Sequence, residues 1–155
     1  MKKVLVIVYS YHHGNTEKIA GAIAGVLDGE VKHPQDISPE EISEYSLIGF
    51  GAGIDSGRHY SPMLEFAREL HPVQGKKAFI FSTSAILSEN KVKKDHEALR
   101  EILISKGYQI VDEFACKGYN TNSFLKYLGG MNKGRPNEDD LQSATAFARN
   151  LEKYL

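Results

Sequence analysis

The segment from Ser10 to Thr16 holds the side chains of this sequence that are best suited to binding chemistry, since it combines hydroxyl and imidazole groups with Gly14. The apolar run 4–9 precedes it, and apolar residues at helical spacing follow it. In a strand–loop–helix unit, the amide groups of the loop and of the first helical turn point outward, and the helix dipole favours negative charge there. The segment contains no Lys and no Arg, so we expect neutral donors, with any charge on His12 and His13, to hold an anion.

This pattern resembles the phosphate loop of the flavodoxin family, which binds the monophosphate of FMN. Five residues match the family signature: Tyr9, Gly14, Thr16, Ala20 and Ile23. Tyr11 departs from it, because the signature has a small hydroxyl residue there, and the neighbouring Ser10 is the candidate replacement. By this resemblance the phosphate-binding residues are Ser10, Tyr11, His12, His13, Gly14, Asn15 and Thr16. The alternative is a plain strand–helix connection in which Asn15 or Thr16 caps the helix.

The elements that must position this segment follow from the hydrophobic pattern. Apolar runs alternate with helical patterns along the whole chain, as in β–α units around a parallel sheet. Strands are predicted at about 4–9, 30–33, 45–50, 77–82 and 108–116. A first helix is predicted after Thr16, a second after an N-cap at Ser61, and a third at 91–106, ended by Gly107. A last helix is predicted after an N-cap at Asn137. We expect an α/β, flavodoxin-like three-layer sandwich, with a five-stranded parallel sheet of order 2-1-3-4-5 and helices on both faces.

In such a sheet, ligands bind outside the carboxyl ends of the strands where the winding reverses. The segments after strands three and four should therefore complete the site. By resemblance, Gly51, Ala52, Gly53, Ile54, Asp55 and Gly57 would flank the flavin ring from one segment, and Thr83, Ser84 and Ala85 from the other. We expect the glycines to let the backbone approach the ring. The aromatic residue that stacks on the flavin in many flavodoxins is missing, and Tyr60, Tyr119 or the pair Ile54 and Leu87 would replace it. Either segment alone is also compatible with an ordinary surface turn.

Composition limits the class of protein. The 155 residues suit one domain, 1–155, and 41% hydrophobic and 25% charged residues are typical of a globular chain. A net charge of −1 gives no support to nucleic-acid binding. The single cysteine, Cys116, excludes an intramolecular disulfide. The apolar run after Met1 is short, so we expect neither a signal peptide nor a membrane span there. We expect a cytoplasmic location and no metal, because His12 and His13 lack a third ligand nearby.

The resemblance implies an FMN-binding electron-transfer protein with a redox partner protein or a small-molecule electron acceptor. The segment Gly49–Phe66 also resembles flavodoxin-like proteins of the menaquinone-dependent protoporphyrinogen oxidase type. An FMN-dependent oxidoreductase acting on a quinone or other small molecule is therefore the alternative, and a binding module without flavin is a third. The long segment 117–136 would shape a substrate pocket or a dimer contact, or be a self-packed loop. Cys116 would be a redox thiol or simply a buried residue, and the oligomeric state stays open.

Overall fold

The computed structural model describes residues 3–10, 14–85, 87–118 and 134–155. The strands are β1 (Val4–Tyr9), β2 (Glu30–Lys32), β3 (Leu47–Asp55), β4 (Arg58–His59), β5 (Lys76–Ser84) and β6 (Tyr108–Lys117). The helices are α1 (Asn15–Leu27), α2 (Ser61–Arg68), α3 (Glu89–Asp95), α4 (Glu97–Ser105) and α5 (Glu138–Leu151). Short 3-10 helices span Pro34–Asp36, Pro39–Glu44 and Glu152–Tyr154. Within these residues no helix is long and apolar enough to cross a membrane.

The sheet has the predicted architecture. Five parallel strands lie in the order β2-β1-β3-β5-β6, and β4 pairs antiparallel with the end of β3. Counted without the two-residue β4, this is the order 2-1-3-4-5, so the predicted fold class is confirmed. The strand β1 lies between β2 and β3, so the winding reverses beside it and a ligand site is expected at its carboxyl end.

Two apolar layers hold the helices against the sheet. One layer joins α1 and α5 to one face, and the other joins α2 and α4 to the opposite face. The central strand β1 is buried on both faces, since Val4 to Val8 are each at most 1% exposed. This explains why its sequence is a continuous apolar run without alternation.

Two glycines of β3 serve the packing of this core. In the register of the sheet, Gly49 lies beside Phe79 and Gly51 beside Phe81 on β5. A Cβ at either glycine would overlap the neighbouring ring, so the glycines make room for the two phenylalanines. Phe81 fills the space on the Cβ side of Gly51, so core packing already gives this position a reason to be glycine, and the approach of a flavin ring to its backbone stays a prediction.

Several helix ends differ from the prediction. Helix α2 is preceded by Tyr60, so Ser61 is its first helical residue and makes no capping hydrogen bond. The helix predicted over 91–106 is two helices, because His96 takes φ −86° and ψ −9° between α3 and α4. Gly107 ends α4 with φ 98°, as predicted. Asn137 caps α5, also as predicted, by accepting from Asp140 N at 3.0 Å while the Asp140 carboxylate accepts from Asn137 N at 2.8 Å.

Candidate functional site

The amino end of α1 is the first part of the site. Gly14 precedes the helix in the left-handed conformation, with φ 63° and ψ 29°, and no side chain caps the helix in the described part of the chain. A left-handed residue followed by a right-handed one turns successive amide groups toward a common point, which makes an anion-binding concavity. Thr16 and Asn15 are the first helical residues, so the alternative in which one of them caps α1 is wrong. The arrangement suits an anion held by backbone donors.

The carboxyl ends of β1 and β5 supply neutral polar groups next to this helix. Ser10 follows β1, and its buried Oγ has no hydrogen-bond partner among the described residues. Thr16 Oγ1 and Thr83 Oγ1 lie 2.9 Å apart and join the first turn of α1 to the end of β5. Both threonines are buried. The sequence predicted that these two segments meet, and the structure brings them together.

The segment after β3 is a hairpin rather than an open loop. Strand β3 continues through Gly51, Ala52, Gly53 and Ile54 to Asp55, and β4 returns along it with Ile54 opposite His59. The turn has φ 55° at Ser56 and φ 80° at Gly57, as in the two-residue turns that match the twist of a sheet. Of the predicted flanking glycines, Gly57 is therefore the one whose backbone needs glycine, while Gly51 and Gly53 lie within the strand.

Tyr60 packs against Gly53 and Tyr9 of the protein itself. A Cβ at Gly53 would come within 2.7 Å of the Tyr60 ring, and Tyr60 N donates to Gly53 O at 3.0 Å. The ring also meets Tyr9 edge to face, with centroids 6.3 Å apart. Ile54 and Leu87 are partly exposed, so they stay available to flank a flat ligand.

Of the remaining predicted residues, some lie at the end of β5 and the others lie outside the described part of the chain. Thr83 and Ser84 are the last residues of β5, and Ala85 follows them; Gly118 N donates to Ser84 O at 3.0 Å. Gly118 also packs on Asn15, since a Cβ there would lie 2.8 Å from Asn15 Nδ2. Tyr11, His12 and His13, Tyr119 and most of the 117–136 segment lie outside the described residues.

A polar network with buried His59, Ser82 and His96 and partly exposed Arg100 and Glu113 lies on the other face of β5. His96 Nδ1 donates to Glu113 Oε1 at 2.8 Å, and His96 Nε2 lies 2.7 Å from Ser82 Oγ. Arg100 holds the same carboxylate with Nε and a second guanidinium nitrogen, at 2.7 and 2.8 Å. The His59 ring lies 4.9 Å from the His96 ring, and its Nε2 donates to Phe81 O at 3.0 Å.

Burial and charge set the protonation of this network. Burial, reinforced by the neighbouring His96, lowers the pKa of His59 to about 3, so His59 is neutral at physiological pH. Burial raises the pKa of Glu113, but the hydrogen bonds from Arg100 and His96 outweigh it and lower that pKa to about 2. Glu113 is thus a carboxylate, an acceptor for both neighbours.

The sequence patterns above do not predict this network, although one signal for it exists. Val92, His96, Leu99 and Leu103 share helical spacing, which places His96 on the inward stripe of its helices. Its partners Ser82 and Glu113 come from strands 14 and 17 residues away, so no local pattern reveals them.

Cys116 is a buried, free thiol. Burial, with a smaller contribution from Asp140, raises its pKa to about 12, which makes it a poor nucleophile. Of the two alternatives for this residue, the structure favours the buried one. Among the described residues there is no group of three or more His, Cys, Asp or Glu side chains that could hold a metal ion.

Together, the fold and its carboxyl-end site define a doubly wound parallel α/β protein whose first strand is followed by a helix with a left-handed glycine at its uncapped amino end. The family model described as a flavodoxin domain matches residues 6–147, and the chain belongs to the flavodoxin family. An uncharacterised protein of Methanocaldococcus jannaschii is 43% identical over 151 residues, which cover 97% of this chain and 99% of that protein.

Solved structures with the same fold include two flavodoxins. A flavodoxin from the domain Archaea has a TM-score of 0.73 at 20% identity, with 98% of each chain covered. Oxidised flavodoxin 2 from Bacillus cereus has a TM-score of 0.74 at 20% identity, with 99% of each chain covered. A flavodiiron protein from Giardia intestinalis has a TM-score of 0.68 at 16% identity, and the match covers 99% of this chain but 36% of that one. At these identities the structural matches show a shared fold.

Proposed function

We propose that this protein binds FMN and transfers electrons to or from a redox partner. The observation that carries the proposal is the amino end of α1, where Gly14 takes the left-handed conformation and no side chain of the described residues caps the helix. Membership in the flavodoxin family supports a flavin as the ligand of this site. A phosphate is the part of FMN that such amides bind best.

The residues present suit a phosphate. Ser10 Oγ is a buried hydroxyl without a partner in the described chain, and an added phosphate oxygen would satisfy it. Among the described residues, no atom lies within 4 Å of the position that a Gly14 Cβ would take, which leaves space for a phosphate beside the helix end. We assign the phosphate to Ser10, Gly14, Asn15 and Thr16, together with Tyr11, His12 and His13. If the two imidazoles donate to phosphate, FMN affinity falls as pH rises through the histidine range.

The ring side is assigned to two segments of the same sheet edge. Gly53, Ile54, Asp55 and Gly57 would flank the flavin from the β3–β4 hairpin, and Thr83–Ala85 from the end of β5. Gly51 and Ala52, the other two residues predicted to flank the ring, lie further inside β3, and a Cβ at Gly51 would overlap the Phe81 ring. When bound, FMN supplies the redox chemistry, and the protein supplies orientation and electrostatics.

The experiment compares FMN with riboflavin, which lacks the phosphate. Apoprotein is titrated into each flavin while flavin fluorescence is recorded. We expect FMN to be quenched at one molecule per chain and riboflavin to bind at least roughly tenfold more weakly, because hydrogen bonds to a charged group contribute about 1.5–3 kcal/mol each.

A matched pair of serine variants locates the phosphate. Ser10→Ala removes the buried hydroxyl beside α1, and we expect roughly tenfold weaker FMN binding with unchanged riboflavin binding. Ser105→Ala is the control, since Ser105 Oγ donates to Ile102 O at the far end of α4. Equal affinities for FMN and riboflavin, or no binding of either, would reject the proposal.

The second candidate function is an FMN-dependent oxidoreductase acting on a quinone or other small molecule. The near-neutral net charge of −1 favours it, because electron-carrying flavodoxins are typically more acidic. Steady turnover of NAD(P)H with a quinone by the FMN-loaded protein alone would establish the enzyme. Electron exchange with a partner protein, without such turnover, supports the carrier.

A further inference from the structure

A second pocket lies at the amino edge of the sheet, where β5 and β6 begin. Its volume is about 380 Å³, within the range of about 300–1,000 Å³ that small-molecule sites occupy. The 3-10 helix Pro39–Glu44 lines one side, the segment 70–74 between α2 and β5 lines the other, and Lys76 and Tyr108 complete it. We call this site the amino-edge pocket.

The amino-edge pocket is separate from the candidate flavin site. Lys76 and Ser84 are the first and last residues of β5, so the two sites lie at opposite ends of one strand. The nine residues of this strand span about 26 Å at about 3.3 Å per residue. The residues that line the pocket include none from 10–16, 51–57 or 83–85. A ligand in the amino-edge pocket therefore binds without touching FMN.

Most of the pocket lining is apolar and is held in place by the core. Ile42 and Tyr108 belong to the apolar layer between the sheet and the helices α2 and α4. The Tyr108 ring meets the Phe50 ring edge to face, with centroids 5.5 Å apart. Val73 N donates to Lys106 O at 2.8 Å, which fixes the segment between α2 and β5. Such a preformed apolar wall suits the hydrocarbon part of a ligand.

The Tyr108 hydroxyl is buried without a hydrogen-bond partner among the described residues. Tyr108 is 4% exposed, and burial raises its pKa to about 12, so the group is a neutral hydroxyl that can donate. A buried hydroxyl without a partner costs stability unless a ligand or a water satisfies it. A ligand that carries a hydrogen-bond acceptor into the pocket satisfies this group.

Lys76 brings a positive charge that pairs with no carboxylate of the described chain. Its Nζ donates to Tyr45 O at 2.6 Å, and burial lowers its pKa. The residues that line the pocket include no Asp and no Glu, and the other polar ones are Ser43, His71 and Gln74. The charge of the pocket therefore favours an anion. A carboxylate is suited to both polar groups, since its oxygens accept from an ammonium and from a hydroxyl.

We propose that the amino-edge pocket binds a small organic carboxylate with an apolar body. Lys76 and Tyr108 are register partners on neighbouring strands, so their side chains leave the sheet on the same face. The carboxylate accepts from these two side chains, and the apolar body lies between the 3-10 helix Pro39–Glu44 and the segment 70–74. The site binds its ligand without covalent chemistry, at the end of β5 remote from the candidate flavin site.

The test is a titration of the full chain with benzoate, followed by NMR of the backbone amides. Benzamide has the same ring without the charge and is the matched neutral probe. We expect saturable shifts at 73–76 and 108, with half-saturation at about 1 mM or below, and no shifts at 83–85. Benzamide should bind roughly tenfold more weakly, because hydrogen bonds to a charged group are the stronger ones.

Two neighbouring lysines separate the charge of the pocket from general effects. Lys76→Met keeps the apolar stem and removes the ammonium, so benzoate binding should fall about tenfold while benzamide binding stays unchanged. Lys77→Met is the matched control, since Lys77 Nζ donates to Tyr154 O at 3.2 Å and the residue does not line the pocket. Benzoate should bind Lys77→Met as it binds the wild type.

Tyr108→Phe tests the hydroxyl and serves if the lysine variant folds poorly. The variant should be at least as stable as the wild type in urea, because it lacks the hydroxyl without a partner, and it should bind benzoate about fivefold more weakly. A loss of stability with unchanged benzoate binding would identify water as the partner of Tyr108 and overturn the proposal.

Other outcomes also reject a carboxylate site. The proposal is wrong if the benzoate shifts do not saturate, if the two probes bind equally, or if Lys76→Met and Lys77→Met bind benzoate equally. Self-association of the wild type in sedimentation, abolished in Lys76→Met, would identify a second copy of the chain as the occupant and reject the small molecule. The titrations are repeated with added FMN and should give the same affinities, so failure of the flavin proposal leaves this test intact.

Discussion

Replacing His59 by glutamine should change how the stability of this protein depends on pH. His59 is buried, and its Nε2 donates to Phe81 O at 3.0 Å. The glutamine amide keeps a donor for that carbonyl but does not titrate. His59→Gln therefore isolates the protonation of this single residue, even if the substitution also costs some stability at every pH.

The magnitude follows from the two pKa values of His59. The pKa is about 3 in the folded protein and 6.5 for an unperturbed histidine. Between these values the unfolded chain binds a proton that the folded chain does not, so the contribution of neutral His59 is complete above pH 6.5 and is lost as the pH falls. The slope is about 1.4 kcal/mol per pH unit, so the wild type should lose about 2 kcal/mol between about pH 7.5 and about pH 5 through this residue.

Urea unfolding followed by circular dichroism measures the effect. The free energy of unfolding is determined at about pH 5, 6 and 7.5 for wild type and His59→Gln, and the slopes against pH are compared. Glu113, with a pKa of about 2, does not contribute to a difference in this range. His71→Gln, at an exposed site, is the control and should keep the wild-type slope. Equal slopes for wild type and His59→Gln would refute the reasoning.

Three further predictions concern single side chains. Thr83→Val should weaken FMN binding about fivefold, the equivalent of one neutral hydrogen bond, in fluorescence titrations, whereas Thr145→Val, which loses a bond within α5, should not. Gly51→Ala should lower the free energy of unfolding by about 1–3 kcal/mol through overlap with Phe81, and a Phe81→Leu background should reduce that loss. Asn137→Ala should cost about 1 kcal/mol in thermal unfolding and leave FMN affinity unchanged.

The parts of the fold that could be predicted are those that depend on residues close together in the sequence. The apolar run of β1 and the helical spacing after Thr16 identify the first β–α unit, and the alternation of such units indicates the strand order. The cap at Asn137 and the stop at Gly107 follow from single residue types with strong positional preferences.

The parts that could not be predicted depend on contacts between distant residues. A glycine at position 51 is expected in the sequence whether a ligand or a side chain fills the space beside it. Only the register of β3 with β5 shows that the Phe81 ring fills this space. His96 lies on the inward face of its helices, but its hydrogen-bond partners Ser82 and Glu113 come from two strands. The candidate anion site was found because its residues are contiguous, and the imidazole network was missed because its residues are not.

The visible spectrum of the purified protein, with the released cofactor identified, tests the central claim most directly. We predict a yellow protein with an oxidised flavin spectrum, and release of about one FMN per chain on denaturation, because the phosphate site proposed at the amino end of α1 would favour FMN over a flavin without a phosphate. A colourless protein that takes up no added FMN, or one that releases a flavin without a phosphate, would contradict it.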